Sequence, residues 1–235
     1  MAKIIVFGSQ KGGVGKSTLT ALTATALSAP PFSYKITVLD ADPQHSLLDA
    51  REYDLKAQKE APNYQILAAT AQNLQAQLQI LDKTEDLIFV DLAGKLDINL
   101  PLESQEITPT ILNTDLLIVP FTAGNYGLDA TLRYLNYLFD IVKIKQKEKR
   151  PLQILGFVNM HMSRLKEDKF LQEMISDIAS ETGLRFMSNT LGFYANFRSA
   201  NTIESLYQVE PKKSQTDLIN FKKWLNELHK IIENV

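Results

Sequence analysis

Short apolar runs alternate along the chain with longer amphipathic stretches. Residues in the apolar runs are mostly Ile, Val, Leu and Phe, as in strands that are covered on both faces. The runs lie at 3–7, 35–40, 86–91, 115–120 and 152–158, with weaker strand candidates at 64–69 and 184–191. Helical periodicity occupies roughly 16–28, 70–82, 126–146, 166–182 and 213–233. This alternation predicts an α/β fold with a mostly parallel, twisted sheet and helices on both faces.

The predicted topology also indicates where a ligand would bind. Right-handed crossovers between parallel strands bring the carboxyl ends of the strands to one edge of the sheet. Ligands of open α/β sheets bind at that edge. The residues that directly follow the apolar runs are therefore the first candidates for a functional site.

Composition narrows the class of protein. The chain has 235 residues, of which 45% are hydrophobic and 22% charged, which fits one globular domain over 1–235. The net charge of −2 means that binding to nucleic acid or to an anionic membrane would need a local basic patch. The lack of cysteine excludes disulfides, thiolate metal sites and a cysteine nucleophile. No apolar run is long enough for a membrane span or a signal peptide, so we expect a cytoplasmic protein.

A glycine-rich loop, GSQKGGVGKST at 8–18, follows the first predicted strand and opens a helix. This context is required of a phosphate-binding loop. Glycines let backbone N–H groups converge on phosphate oxygens, and the helix N-terminus adds the positive end of its dipole. We expect Lys16 to contact the β- and γ-phosphates of a nucleotide, Ser17 to bind Mg²⁺ and Thr18 to contact the α-phosphate.

The loop departs from the standard pattern G-x-x-x-x-G-K-S/T, because Gln10 stands where the first glycine belongs and Lys11 follows it. This form, together with D-x-D-P-Q at 40–44 and D-x-x-G at 91–94, resembles the ParA/MinD family of P-loop ATPases. The likeness continues at 116–131 and 156–160, and it is loose after about residue 165.

The resemblance implies a single-domain P-loop NTPase fold, ATP and Mg²⁺ as ligands, and a homodimer that encloses ATP. It also implies that Lys11 reaches the phosphates of the partner subunit's nucleotide. The physical reason is that two triphosphates in one interface repel each other unless cations lie between them. The expected phosphate site consists of Lys11, Gly12, Gly13, Val14, Gly15, Lys16, Ser17 and Thr18.

Three aspartates follow predicted strands at the ligand-binding edge. Asp91 ends an apolar strand, as a Walker B aspartate does, and is expected to hold Mg²⁺ through water. The next residue is Leu92 rather than a glutamate, so the carboxylate that orients the attacking water must come from elsewhere. Asp42 is the best candidate for that role. The other expected catalytic residues are Lys11 and Lys16. The resemblance implies the same role for Asp42 and places Asp40 near Mg²⁺.

Two further residues are candidates for contacts with the nucleotide. Gly94 completes D-x-x-G, and its amide can approach the γ-phosphate as part of a switch segment. Asn159 follows the strand at 152–158. In similar proteins an asparagine at this place contacts adenine, and its amide can both donate and accept a hydrogen bond. The alternative is that Asn159 is a turn residue.

The first functional hypothesis, implied by the resemblance, is an ATPase that partitions plasmid or chromosomal DNA or positions another cargo. Its ATP-bound dimer would bind nucleoid DNA without sequence preference, and a ParB-like adaptor protein would stimulate hydrolysis. Non-specific DNA binding requires lysine and arginine at the surface. The candidates are Arg198, Lys212, Lys213, Lys222 and Lys223, with the basic run 143–150 as a second option.

Two alternatives remain open. A MinD-like membrane ATPase would dock its C-terminal helix on lipid, but the helix predicted at 213–233 mixes both charges on its polar face and lacks a strong cationic bias. That mixture favours a core helix over a membrane anchor. A metabolic ligase of the same fold is the second alternative, and it would have no use for Lys11.

Overall fold

In the computed structural model, residues 1–57, 61–93, 107–123, 125–146, 151–162, 166–198 and 200–235 are described, with the backbone alone for 125–129 and 198. The strands are β1 (Lys3–Phe7), β2 (Ile36–Asp40), β3 (Gln65–Ala68), β4 (Leu87–Asp91), β5 (Leu116–Phe121), β6 (Gln153–Val158) and β7 (Arg185–Phe186). The helices are α1 (Lys16–Ser28), α2 (Ser46–Ala57), α3 (Leu74–Leu81), α4 (Thr108–Asn113), α5 (Asn125–Lys145), α6 (Lys166–Thr182), α7 (Ala195–Arg198) and α8 (Thr216–Glu233), with a short 3₁₀ helix at Leu206–Gln208.

The described strands form one seven-stranded sheet in the order β3-β2-β4-β1-β5-β6-β7. Every pair of neighbouring strands is parallel. The predicted α/β fold with a parallel sheet is therefore confirmed. β1 is the central strand, between β4 and β5. β2 lies on the other side of β4, and the last residues of β2 and β4, Asp40 and Asp91, are paired in register.

Both faces of the sheet are covered, as the continuous apolar strands predict. Ile5 and Phe7 of β1 point to the face that packs against α1 and α8, whereas Ile4 and Val6 point to the face that packs against α3, α4, α5 and α6. This alternation follows from the two-residue period of a strand. The core thus fixes β1, and with it the start of the glycine-rich loop.

The apolar stripe of α8 belongs to this core. The Lys3 ammonium donates hydrogen bonds to the carbonyl oxygens of Ile232 (2.6 Å) and Glu233 (3.1 Å), which ties the end of α8 to β1. In the described part of the chain, no helix is long and apolar enough to cross a membrane. The buried residues of α8 are Leu218, Phe221, Trp224, Leu225, Leu228 and Ile232.

Besides the four-residue α7, the sequence pattern does not predict α2 and α4. α2 buries only Leu47 and Arg51, so its other apolar residues do not form a buried stripe. α4 has six residues, and two of its three buried side chains are threonines. The sequence reveals neither helix because tertiary contacts, rather than an apolar stripe, hold them in place.

The strand predicted at 184–191 is much shorter in the structure, where β7 covers only Arg185–Phe186. The ladder is interrupted at Ser188 and Asn189, whose N–H groups donate to the Glu227 carboxylate of α8 (2.6 and 2.8 Å). The backbone bonds to β6 again at Leu191, whose N–H donates to the Val158 carbonyl at 3.0 Å. The Glu227 carboxylate replaces the sheet partner that the pattern alone predicts.

Candidate nucleotide-binding site

The glycine-rich loop has the backbone conformation of a phosphate cradle. Gly13 (φ 76°) and Gly15 (φ 90°) adopt left-handed conformations, which a side chain would strain. Helix α1 begins at the next residue, and the N–H of Leu19 donates to the Gly15 carbonyl at 2.8 Å. A Cβ atom added at Gly12 or Gly13 would meet no atom within 4 Å, so this part of the loop borders open space.

The loop forms one side of a cavity of about 710 Å³ at the carboxyl edge of the sheet. A cavity of this size suits a small-molecule ligand or cofactor. The other sides come from the D-x-D-P-Q turn, the end of β6 and the chain after β7. The lining residues are Gly12, Gly13, Gly15, Lys16, Ser17, Thr18, Leu19, Leu22, Asp42, Pro43, Gln44, Ser46, Ala93, Ile107, Asn159, Met160, Gly192, Phe193, Tyr194 and Phe197.

The two lysines of the loop have different environments. Lys16 lines the cavity, and its ammonium donates to the backbone carbonyl of Lys11 at 3.3 Å. Burial lowers the pKa of Lys16, whereas the nearby charges of Asp91 and Asp42 raise it. The Lys11 side chain is exposed outside the cavity lining, and no described residue forms an ion pair or hydrogen bond with its ammonium. One lysine is thus placed inside the site and the other points away from it.

Asp40 and Asp91 lie side by side and are buried. One oxygen of Asp40, Oδ2, accepts hydrogen bonds from the N–H groups of Leu47 (3.1 Å) and Leu48 (3.2 Å) at the start of α2. Among the described residues, Asp40 Oδ1 accepts no hydrogen bond, although His45 Nδ1 lies 3.9 Å from it. The oxygens of Asp91 also accept no hydrogen bond of normal geometry, although the Ser17 hydroxyl is near enough to lower the pKa of Asp91. Buried oxygens without partners are costly. Their presence indicates that this pocket of carboxylates accommodates a ligand.

Burial raises the pKa of Asp91 to about 7; the nearby Ser17 hydroxyl opposes this rise, and the charge of Asp40 adds to it. Burial also raises the pKa of Asp40, whereas the N–H groups of Leu48 and Leu47 lower it. A bound cation would favour the charged forms of both aspartates. The two carboxylates are therefore candidates for holding a cation.

The donor set fits Mg²⁺ bound together with a nucleotide. In the described ranges no group of three or more His, Cys, Asp or Glu side chains could hold a metal by itself. Mg²⁺ retains several waters and is commonly bound through one or two carboxylates and substrate phosphates. Ser17, Asp40 and Asp91 could supply the protein's share of such a site, as the sequence predicts.

The raised pKa of Asp91 makes the stability of the metal-free protein depend on pH. The folded protein retains the Asp91 proton up to about pH 7, whereas the unfolded chain releases it near pH 3.8. Stability is therefore expected to fall as the pH rises between these values. From pH 5 to pH 8, the free energy of unfolding of Asp91→Asn should therefore rise by about 3 kcal/mol relative to that of the natural protein. Urea unfolding in EDTA at both pH values measures this difference.

An exposed aspartate of α2 provides the control for this measurement. Asp49→Asn should not change the difference in unfolding free energy between pH 5 and pH 8, because Asp49 is solvated. If the unfolding free energies of the natural protein and Asp91→Asn instead change equally with pH, that result contradicts the prediction, because Asp91 is then ionised in the folded protein throughout this pH range.

Asp42 lines the cavity from a tight turn. Its Oδ1 accepts a hydrogen bond from the N–H of Gln44 at 2.9 Å, and its carbonyl accepts from the N–H of His45 at 2.9 Å. His45 is in the left-handed region (φ 47°), and α2 begins at the next residue. This turn brings the Asp42 carboxylate to the same cavity as Lys16 while Asp40 stays buried behind it.

Asn159 also lies at the cavity, where it contacts the phosphate loop. Its Nδ2 donates to the Val14 carbonyl at 2.8 Å, and a Cβ atom on Gly15 would lie 3.2 Å from Nδ2. Asn159 thus braces the loop in this structure, and its contact with adenine stays a prediction. Gly94 lies outside the described residues.

One side of the cavity was not among the residues predicted from the sequence: the aromatic wall, which we define as Gly192, Phe193, Tyr194 and Phe197. Phe193 is 45% exposed, so much of its ring is accessible. The Tyr194 hydroxyl accepts a hydrogen bond from Asn220 Nδ2 at 2.8 Å. The available signal was three aromatic residues within five positions just after the last strand, at the edge where ligands bind.

The candidate DNA-binding residues differ in accessibility. Lys212, Lys213 and Lys223 are exposed. Lys222 is not simply solvated: its ammonium lies 5.3 Å from the centre of the Tyr207 ring and 3.8 Å from a Glu210 oxygen. These contacts make Lys222 a weaker candidate than the other three.

The basic run 143–150, the second option for DNA binding, contains one lysine that is not at the surface. Lys145 is buried, and its ammonium donates to the Thr114 carbonyl at 2.7 Å. Lys143 is exposed and forms an ion pair with Asp140 at 2.7 Å. Residues 147–150 and the side chain of Arg198 lie outside the described residues.

Solved structures share this fold. A plasmid partition protein from Borrelia burgdorferi is 20% identical with a TM-score of 0.67, and the match covers 100% of this chain and 99% of that one. McdA from Cyanothece in complex with ATP is 19% identical with a TM-score of 0.66, over 97% and 96% of the two chains. Cobyrinic acid a,c-diamide synthase from Mycobacterium smegmatis with bound ADP and magnesium is 16% identical with a TM-score of 0.65, over 98% and 95%. At these identities the likeness concerns the fold alone.

A family model gives the assignment. The model for the CobQ/CobB/MinD/ParA nucleotide binding domain, CbiA, matches residues 5–202. Comparison with curated proteins gave no significant match. The matched region contains the glycine-rich loop, the three aspartates and Asn159, which line or adjoin one cavity. The chain therefore belongs to the CobQ/CobB/MinD/ParA family of nucleotide-binding domains.

Proposed function

We propose that this protein is a Mg²⁺-dependent, dimerising ATPase that partitions DNA or positions another cargo. The observation that carries this proposal is the separation of the two loop lysines. Lys16 lies in the cavity, whereas the Lys11 ammonium is exposed and forms no ion pair or hydrogen bond with a described residue. A nucleotide-binding protein that acts as a monomer needs only the first lysine, so the second one supports a site that is completed by another subunit.

The side chains at the cavity suit the hydrolysis of ATP. Lys16 and the N–H groups of the loop would hold the phosphates, with Thr18 at the α-phosphate. Mg²⁺, held by Ser17 and the buried aspartates, would neutralise charge on the transferred phosphoryl group. Asp42 would orient the attacking water, since its carboxylate lies at the cavity wall. Gly94 would sense the γ-phosphate.

Dimerisation would place two ATP molecules in one interface. Their phosphates repel each other strongly where water is excluded. A Lys11 ammonium from each subunit would lie against the partner's phosphates and remove this repulsion. Dimerisation then depends on ATP, because each lysine has its counter-charge only when the partner's site is filled. We take residues 1–235 as one domain in this dimer.

DNA fits better than a membrane as the surface that the dimer binds. The apolar stripe of α8, which a MinD-like protein would use on lipid, is packed in the core. Lys212, Lys213 and Lys223 remain exposed, and dimerisation doubles their number on one particle. Since the net charge is −2, these few cations would bind only weakly as a monomer. The ATP-bound dimer would associate with the nucleoid, and a ParB-like adaptor would trigger hydrolysis and release.

Fluorescence anisotropy with a duplex of arbitrary sequence tests this function. We expect DNA binding with ATP and not with ADP, with an affinity that falls at least about tenfold between 50 and 200 mM salt. A Lys212→Glu, Lys213→Glu double variant should lose binding because it reverses charge at two exposed lysines.

Lys83→Glu is the matched control for the DNA experiment, because Lys83 is also exposed but lies before β4, on the opposite edge of the sheet. Its DNA affinity should stay within about twofold of that of the natural protein. Equal DNA binding in ADP and ATP would contradict ATP-gated DNA binding.

A further inference from the structure

We propose that Arg51, Asp54 and Thr202 form a buried clamp that positions the aromatic wall of the nucleotide cavity. In this role they would be positioning residues that set the affinity for the nucleoside part of ATP, without touching the nucleotide themselves. This inference rests on the proposed function, because it assumes that a nucleotide occupies the cavity.

Arg51 is the centre of the clamp. Its Nε donates to the Thr202 hydroxyl at 2.9 Å, its Nη2 to the Thr202 carbonyl at 2.9 Å and its Nη1 to the Tyr64 carbonyl at 2.9 Å. The guanidinium also lies 4.4 Å from the centre of the Tyr64 ring. Arg51 is only 7% exposed, so these bonds take the place of its hydration.

Asp54 holds the same residue from the next turn of α2. Its Oδ2 accepts hydrogen bonds from the N–H (2.7 Å) and from the hydroxyl (2.8 Å) of Thr202. Residues three apart on a helix lie on the same face, so Arg51 and Asp54 can both hydrogen-bond to Thr202. The Thr202 hydroxyl therefore donates to a carboxylate and accepts from a guanidinium. Through this hydroxyl, the charge of the Asp54 carboxylate offsets that of the buried Arg51 guanidinium.

The clamp matters for the cavity because the aromatic wall has little regular structure of its own. Between β7 and the 3₁₀ helix, the described chain contains only the four-residue helix α7. Side-chain bonds therefore fix its course. Glu227 holds the beginning of this segment, Asn220 holds Tyr194 within the wall, and the clamp holds the end at Thr202.

Helix α2 connects this clamp to the phosphate side of the cavity. The helix starts directly after the turn that carries Asp42, and Asp40 accepts hydrogen bonds from the N–H groups of its first turn. Loss of the clamp should loosen the aromatic wall, because Thr202 lies five residues after Phe197. It should leave the glycine-rich loop in place, because β1, α1 and Asn159 hold that loop independently.

Comparing ATP with inorganic tripolyphosphate distinguishes binding at the aromatic wall from binding at the phosphate side of the cavity. Tripolyphosphate can occupy only the phosphate side, whereas ATP also places a nucleoside against the wall. In Thr202→Val, which keeps the shape and loses the hydroxyl, we expect the Kd for ATP to rise about tenfold and the Kd for tripolyphosphate to stay unchanged. Isothermal titration calorimetry with Mg²⁺ measures both.

Hydrogen exchange provides a second readout, without any ligand. The amides of 192–198 and 200–205 should exchange about tenfold faster in Thr202→Val, while those of the loop at 8–18 should keep their natural rates. Thr202→Ser retains the hydroxyl and should restore both ATP affinity and protection. Lys56→Ala is the matched control, because Lys56 lies on α2 but is exposed.

The outcomes distinguish this inference from the proposed function. If the natural protein binds neither ligand, the nucleotide site itself is wrong. If the natural protein binds ATP and Thr202→Val binds it equally well, the clamp has no positioning role. Equal losses for ATP and tripolyphosphate would also overturn it, since they indicate general damage to the fold. If Thr202→Val fails to fold, Arg51→Lys keeps the charge, cannot make three directed bonds and should show the same selective loss of ATP affinity.

Discussion

Replacing Lys11 with alanine is expected to abolish ATP-driven dimerisation while the monomer still binds ATP within about threefold of the natural affinity. The Lys11 side chain is exposed outside the cavity, so its removal leaves the phosphate contacts of Lys16 in place. In the dimer, however, two triphosphates would face each other without the interleaved cations. Sedimentation velocity with a non-hydrolysable ATP analogue measures the dimer, and nucleotide titration measures binding by the monomer.

Two further variants serve as comparisons for Lys11→Ala. Lys11→Arg keeps the charge and should retain part of the dimerisation. Lys16→Ala should instead weaken ATP binding itself by about 100-fold or more, because this lysine lies inside the cavity. Normal ATP-driven dimerisation by Lys11→Ala would contradict the role of this lysine and favour a metabolic ligase of the same fold. A natural protein that remains monomeric with saturating analogue would rule out the dimer altogether.

The sheet and the phosphate side of the site could be predicted because they are encoded locally. A buried strand, a glycine turn and a helix are adjacent in sequence, so GSQKGGVGKST carries its own structural context. Asp40 and Asp91 are distant in sequence, but each ends a predicted strand. In a parallel sheet, strand ends meet at one edge, and the structure pairs these two residues in register.

The aromatic wall could not be predicted, because long-range contacts hold the chain around it. Arg51 and Thr202 are separated by 151 positions, and neither belongs to a recognisable motif. On the sequence alone, Arg51 is a solvated charge on a helix that the apolar pattern does not reveal. Only the folded chain places it in the interior, where two of its donors bond Thr202 and the third bonds the Tyr64 carbonyl.

Charged residues on a helix show the same limitation. Lys145 belongs to the most basic run of the sequence, yet its ammonium is buried against the Thr114 carbonyl. Its position on α5 turns it toward β5, whereas Lys143 two residues earlier points to solvent. A basic run therefore indicates a surface patch only when the helical phase of each residue is known.

Replacing Asp42 with alanine is expected to slow ATP hydrolysis about 100-fold or more and to trap the ATP-bound dimer. The Asp42 carboxylate lies at the cavity wall, and general-base or water-orienting groups contribute at least this factor. Asp40 cannot replace it, because Asp40 is buried and one of its oxygens caps α2. ATP affinity should persist, since the phosphate contacts come from the glycine-rich loop. Single-turnover release of phosphate and light scattering after size exclusion measure hydrolysis and dimer lifetime.

Asp42→Asn is the matched control for the shape of the turn. An asparagine oxygen can still accept the hydrogen bond from the N–H of Gln44, which Asp42 Oδ1 accepts at 2.9 Å. If the negative charge orients and activates the water, Asp42→Asn should be as slow as Asp42→Ala even though the turn is preserved. Normal hydrolysis by Asp42→Asn would mean that the residue only shapes the turn. Slow hydrolysis without accumulation of the ATP-bound dimer would separate the chemical step from dimer release and contradict the proposal that hydrolysis times the dimer.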